Sequence, residues 1–251
     1  MTEVIDTTAR AAATLRTPAV VAGVGILLIS ILAGLANFGA VEALVTTGDA
    51  TKTAQDILTS ETSFRLAIAA FVLVAALDVV VAWGLYAFFK PVSPEVSLLT
   101  GWLRLAYAAV FAVAVGHLAG TLHVLGNADY LRTFTPDQLR TQALLKITAF
   151  HDLWSVGLVL FGAHLLLVGY LIYRSGFTPK LLGVLVAVAG AGYLVDSFAA
   201  LLFSGYAVTL SAFTFLGEFL LMLWLLIKGR TISARYARQG CKRARTVSDE
   251  A

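Results

Sequence analysis

The sequence predicts an all-α fold: a polytopic transmembrane bundle of six helices with both termini cytoplasmic. Three observations predict it. The 251 residues are 59% hydrophobic, with a mean hydropathy of +0.86. Only 13% of them are charged, about half of the ~25% found in an average globular domain, so a water-facing surface cannot be covered. The apolar residues also gather into runs of about 20, the length that crosses a ~30 Å hydrocarbon core at ~1.5 Å per residue. An ordinary soluble enzyme and a disordered chain are both excluded.

Six runs reach that length. They extend from Ala19 to Phe38, Leu66 to Phe89, Leu98 to Leu122, Leu153 to Tyr173, Leu181 to Phe203 and Ala212 to Ile227. Barrel strands are ~10 residues long and alternate in polarity, whereas these runs are longer and apolar on every side. Pro18 precedes the first run, where its missing N–H costs nothing. Lys90 and Pro91 close the second run, and Gly176 and Pro179 break the chain between the fourth and fifth. Thr135-Pro136-Asp137-Gln138 reads as an N-cap, a first-turn proline and an acidic first turn. The fourth run therefore has an amphipathic lead-in helix from Pro136. Asp49 to Ser63 reads as a polar loop with a short helix. The first run exceeds the 7–15-residue core of a cleaved signal and reads as a retained anchor.

Residues 1–17 form a cytoplasmic segment, 18–228 the transmembrane domain and 229–251 a basic cytoplasmic tail. The Lys and Arg residues set this orientation. With both termini inside, 12 of the 18 fall on inside segments, five on outside loops, and Arg104 within a span. The tail from Lys228 to Arg245 reads as a topology anchor touching anionic lipid, in preference to a docking or nucleic-acid segment. Cys241, the one cysteine, lies in this tail and excludes an internal disulfide. The expected location is the inner (plasma) membrane.

Charges inside a span cost at least ~2.5–3.5 kcal/mol on insertion scales, so each needs a reason. Counting ~1.5 Å per residue from the cytoplasmic ends puts Asp78 ~18 Å deep, with His164 and Glu218 ~15 Å deep. Asp196 lies ~24 Å and His117 ~28 Å in, and Arg104 only ~9 Å. These five polar residues other than Arg104 form the candidate intramembrane site for a small molecule or ion. Asp78 and Arg104 lie on adjacent antiparallel helices and form a candidate structural ion pair. The plainer alternative for His117 and His164 is a neutral core histidine bonded to a carbonyl. His123, His151 and Asp152 form an outer-face polar group.

No catalytic residue, metal or cofactor is expected. His117 and His123 are six residues apart and point to different helix faces, and adjacent His151 and Asp152 do not converge on one ion. There is no nucleophile elbow, phosphate loop or dinucleotide fingerprint. Gly183, Ala187, Gly190, Ala191 and Gly192 mark the fifth run as a close-packing helix, with Gly157, Gly162 and Gly169 answering in the fourth.

The stretches His151-Asp-Leu-Trp154, Leu160-Phe-Gly-Ala-His-Leu-Leu-Leu167, Gly169-Tyr-Leu171, Ser175-Gly-Phe-Thr-Pro179, Leu181-Leu-Gly-Val-Leu185 and Gly192-Tyr-Leu-Val-Asp196 carry a resemblance. Asp78, Leu85-Tyr86, Arg104 and the polar loop before Ile57-Leu58 extend it over nearly the whole chain. The sequence resembles the membrane protein family catalogued as domain-of-unknown-function 4386. The resemblance implies a bacterial polytopic membrane protein of about this length and implies no activity. Lys180 departs from the pattern, where arginine is more usual; either cation marks the same side.

Two function classes stay open. One is a protein that handles a small molecule or ion through the polar groups. The other is a non-catalytic sensor or scaffold, its polar groups satisfied in pairs. A third, an intramembrane metal-dependent hydrolase, lacks a converged constellation. No internal repeat links the halves.

Overall fold

A computed structural model describes residues 2–126, 128–203, 210 and 215–229, apart from the side chains of residues 2–14 and 130. The start of the sixth apolar run and the tail from Arg230 onward, with Cys241, lie outside the described residues. All regular structure described is helical. Five helices are long and apolar enough to cross a membrane.

The first, α1 (Thr2–Ala36), runs through Pro18 and ends in a π-helical turn, Asn37–Val41, followed by the single turn α2 (Glu42–Leu44). Its apolar part is Leu15–Leu44, longer than the run read from the sequence because the π turn carries the helix onward. The polar loop holds α3 (Ala50–Thr59), started by Asp49, whose carboxylate accepts from the Lys52 backbone N–H at 2.8 Å. Next come α4 (Glu61–Phe89) and α5 (Pro94–Leu125). The expected lead-in and fourth run form one unbroken helix, α6 (Pro136–Ser175). It is followed by α7 (Lys180–Leu202) and α8 (Leu216–Ile227).

The start of α6 shows local sequence dictating structure. The Thr135 hydroxyl accepts from the Gln138 N–H at 3.3 Å, and the Gln138 side chain accepts from the Thr135 N–H at 2.9 Å. This reciprocal capping box satisfies two helix-end donors at once. Thr135→Ala is expected to lower stability by about 1 kcal/mol, read as the thermal midpoint of the purified protein. At the other end Gly176, at φ 71°, supplies the left-handed residue that ends the helix.

Each long helix packs mainly against its neighbours in sequence, and α8 packs against both α7 and α1. The six helices α1, α4, α5, α6, α7 and α8 thus form a closed ring. Lipid tails are as apolar as leucine, so burial from water does not hold such a ring together; close packing does. Antiparallel α6 and α7 show this. A Cβ added at Gly190 would lie 2.6 Å from the Gly162 carbonyl oxygen, and one at Gly169 would lie 2.6 Å from that of Gly183. The seven-residue spacing repeats on both helices, so the two glycine pairs form one seam. Phe71, Phe111 and Phe150 fill the ring toward the end away from Lys90. Their ring centroids are 5.5 Å (Phe71–Phe111) and 5.6 Å (Phe71–Phe150) apart.

The final helix is described from Leu216, and its 12 residues span ~18 Å; the residues before Phe215 that begin the sixth apolar run lie outside the described residues. A Cβ at Gly217 would strike the Leu185 carbonyl, and one at Gly229 would lie 2.8 Å from Ala19. Leu185 is in the second turn of α7, and Ala19 lies level with Gly84, near the end of α4. A Cβ at Gly23 would lie 3.0 Å from the Leu226 side chain, and Leu221 shares a cavity with Ile26. Leu221, Leu226 and Gly229 thus meet Ile26, Gly23 and Ala19 in turn, so α8 runs antiparallel alongside α1 and reaches α7 through Gly217.

Candidate functional site

At the centre of the ring lies a buried polar cluster. Asp78 on α4, Arg104 on α5 and His164 on α6 are 1%, 4% and 0% exposed. Arg104 rises from its helix toward Asp78, with Nε 2.9 Å and Nη2 2.6 Å from Asp78 Oδ1. Its Nη1 is 3.3 Å from His164 Nε2, and His164 Nδ1 is 2.8 Å from the Thr100 carbonyl oxygen. A carbonyl only accepts and a guanidinium only donates. Both contacts are satisfied together when His164 is neutral, with its proton on Nδ1. One cation, one carboxylate and one neutral imidazole thus form a network of no net charge.

Support comes from the surrounding shell. The Thr100 hydroxyl donates to the Ser97 carbonyl at 2.6 Å, and the Ser97 hydroxyl donates to that of Tyr86 at 2.8 Å, tying α5 to α4. The Phe161 ring lies under the guanidinium, 5.3 Å from Cζ to centroid, and stacks on His164 at 5.9 Å. Tyr107 and Tyr193 pack on Phe161 at 4.9 and 5.4 Å. A cation over an aromatic face is stabilised where water is excluded.

Glu218, in the first turn of α8, completes the cluster. Its side chain shares a cavity with Arg104, His164, Ile26, Leu85 and Leu221. The cavity gives a water-sized sphere about 10 Å³, room for roughly one water. Tyr193 faces the Glu218 carboxyl. The Glu218 Oε1 atom is buried and has no hydrogen-bond partner among the described residues.

The structure brings Asp78, His164 and Glu218 together around Arg104; His117 and Asp196 lie elsewhere. His117 is half-buried high on α5. Asp196 is half-buried on α7 and accepts from the Leu210 N–H at 3.0 Å. At the far end, His151 Nε2 lies 3.2 Å from Glu42 Oε1, joining α6 to α2, while Asp152 and His123 are exposed. Among the described residues no group of three His, Cys, Asp or Glu converges on a metal position. Thr100, Phe161 and Tyr193 escaped sequence reasoning. Tyrosine within an apolar run was the available signal for Tyr193; nothing local marks the Thr100 carbonyl.

Ring and centre together define a multi-pass membrane protein with a charged pair enclosed in its apolar interior. The chain belongs to the family described as Domain of unknown function (DUF4386), which it matches over residues 21–229. An uncharacterized protein of the archaeon Archaeoglobus fulgidus is 40% identical over 164 residues, 64% of this chain and 82% of that protein. The expected restriction to bacteria is thereby corrected: the relatives extend to archaea. No solved structure matches the chain at a significant level.

Proposed function

We propose that this protein handles a cation or proton at the centre formed by Asp78, Arg104, His164 and Glu218. It does so within the plasma membrane, with both termini cytoplasmic and the basic tail against anionic lipid. One observation carries the reading: the buried, unpartnered Glu218 Oε1 beside a cavity the size of one water. An orphaned buried acceptor costs about 1–3 kcal/mol, and a donor or a cation relieves that cost. Asp78 and Arg104 already balance each other, so an ionised Glu218 leaves one negative charge for a ligand to meet. A cavity this small excludes an organic molecule and suits a proton, a water or a bare ion. A sensor or scaffold role is the second reading, favoured by the mutual pairing of Asp78, Arg104 and His164.

Proteoliposomes of the full chain, with a trapped pH-sensitive dye and then a Na⁺-sensitive one, test the proposal. Wild type is expected to dissipate an imposed gradient of one of the two ions. Glu218→Gln, whose amide brings its own donor, is expected to fall to the rate of empty vesicles while keeping its thermal midpoint. Equal flux from wild type and variant would sink the transport reading and leave the sensor.

A further inference from the structure

A second site lies at the end of the ring away from Lys90. A groove of about 290 Å³ opens there between α4 and α5, lined by Arg65, Ile68, Ala69, Ala119, Leu122 and His123. Two alanines face each other where larger side chains would close the gap. The groove opens outward, since Arg65, Ala69 and His123 are exposed. Its floor is apolar and its rim polar, with both polar side chains on the same rim.

Depth and charge identify the occupant. Arg65 is 25 residues from Lys90 along α4, ~37 Å at ~1.5 Å per residue. That distance exceeds the ~30 Å hydrocarbon core and falls within the ~40–45 Å that includes the headgroups. With Lys90 at one surface, the groove's rim lies in the headgroup layer of the other and its floor in the acyl layer below. Arg65 gives Nε and Nη2 to Glu61 Oε1, at 2.7 and 2.6 Å, and its Nη1 has no partner among the described residues. The His123 ring has no partner among the described residues. Donors of this kind recognise a phosphate, and the slot below them is apolar.

We propose that this groove binds an anionic phospholipid. Its phosphate sits at Arg65 and His123, and an acyl chain lies along Ile68, Ala69, Ala119 and Leu122. The site is separate from the central cluster, so it stands whether or not ions are handled there.

The test uses the purified full chain in detergent, with lipid binding read by native mass spectrometry and by the shift in thermal midpoint. Phosphatidylglycerol is expected to bind more tightly than phosphatidylcholine. Arg65→Gln weakens phosphatidylglycerol binding about fivefold, the effect of one surface cation. Glu61→Gln, by releasing Arg65, tightens it; a purely structural Arg65–Glu61 pair would not. Ala69→Trp fills the slot and abolishes the lipid effect without moving the midpoint of lipid-free protein. Glycerol phosphate, a headgroup without chains, is expected to do nothing. Equal binding of the two lipids, unchanged binding by Arg65→Gln, or a full effect from glycerol phosphate would each overturn the proposal.

Discussion

Replacing Arg104 by methionine is expected to destabilise the protein by about 3–5 kcal/mol, the effect of leaving one charge of a buried pair uncompensated. Asp78 is 1% exposed and Arg104 supplies both donors on its Oδ1. Without the guanidinium the carboxylate has no cation nearby, and His164 loses the donor on Nε2. Asp78→Leu is expected to cost a similar amount, because it strands Arg104. The double replacement, Asp78→Leu with Arg104→Met, removes both charges and recovers stability to within about 1 kcal/mol of wild type or better. Unfolding of the purified protein in mixed detergent, followed by helical circular dichroism, measures all three variants. Additive losses in the double variant would show that the two residues do not act as a pair.

The second large effect concerns the α6–α7 seam. Gly190→Ala places a methyl 2.6 Å from the Gly162 carbonyl oxygen and 2.8 Å from the Leu166 nitrogen, both backbone atoms. A flexible side chain can move aside; a helix backbone cannot without separating the two helices. The expected cost is about 1–3 kcal/mol, as for overpacking in a tight core. It applies equally to Gly169→Ala, whose methyl meets Gly183 and Ala187. Gly116→Ala serves as the control, since nothing lies within 4 Å of its added carbon. A drop in thermal midpoint for the seam variants and none for Gly116→Ala is expected; equal drops would mean that the seam plays no special part.

Most of the architecture was legible in the sequence because the bilayer leaves few choices. A run such as Leu66–Phe89 has to be helical, since each backbone polar group must find its partner within the segment. The capping residues Thr135 and Gln138 and the breaker Gly176 are local signals and fixed the ends of α6 to within a residue. The glycine pairs were legible as a tendency toward close packing, but their register depends on how the two helices meet. The neighbours of α8 were not legible. Its composition is that of a span, and only the contacts of Gly217 with Leu185 and of Gly23 and Ala19 with Leu226 and Gly229 show that it closes the ring between α7 and α1. Inside the site, Asp78, Arg104, His164 and Glu218 stood out as polar residues in apolar surroundings. Depth counting put Asp78, His164 and Glu218 at one level, and these are the three that gather around Arg104. Arg104 was counted as shallow, and it reaches Asp78 through the length of its side chain.

The forty residues of α6 make a rod of ~60 Å, well beyond the ~40–45 Å of a bilayer with its headgroups. Its capped tip at Thr135 therefore stands clear of the lipid. Thr53, Ala54 and Ile57 of α3 are buried where that helix braces the projecting part. One unbroken helix thus joins that tip to His164, so the projecting end and the buried imidazole belong to a single continuous element.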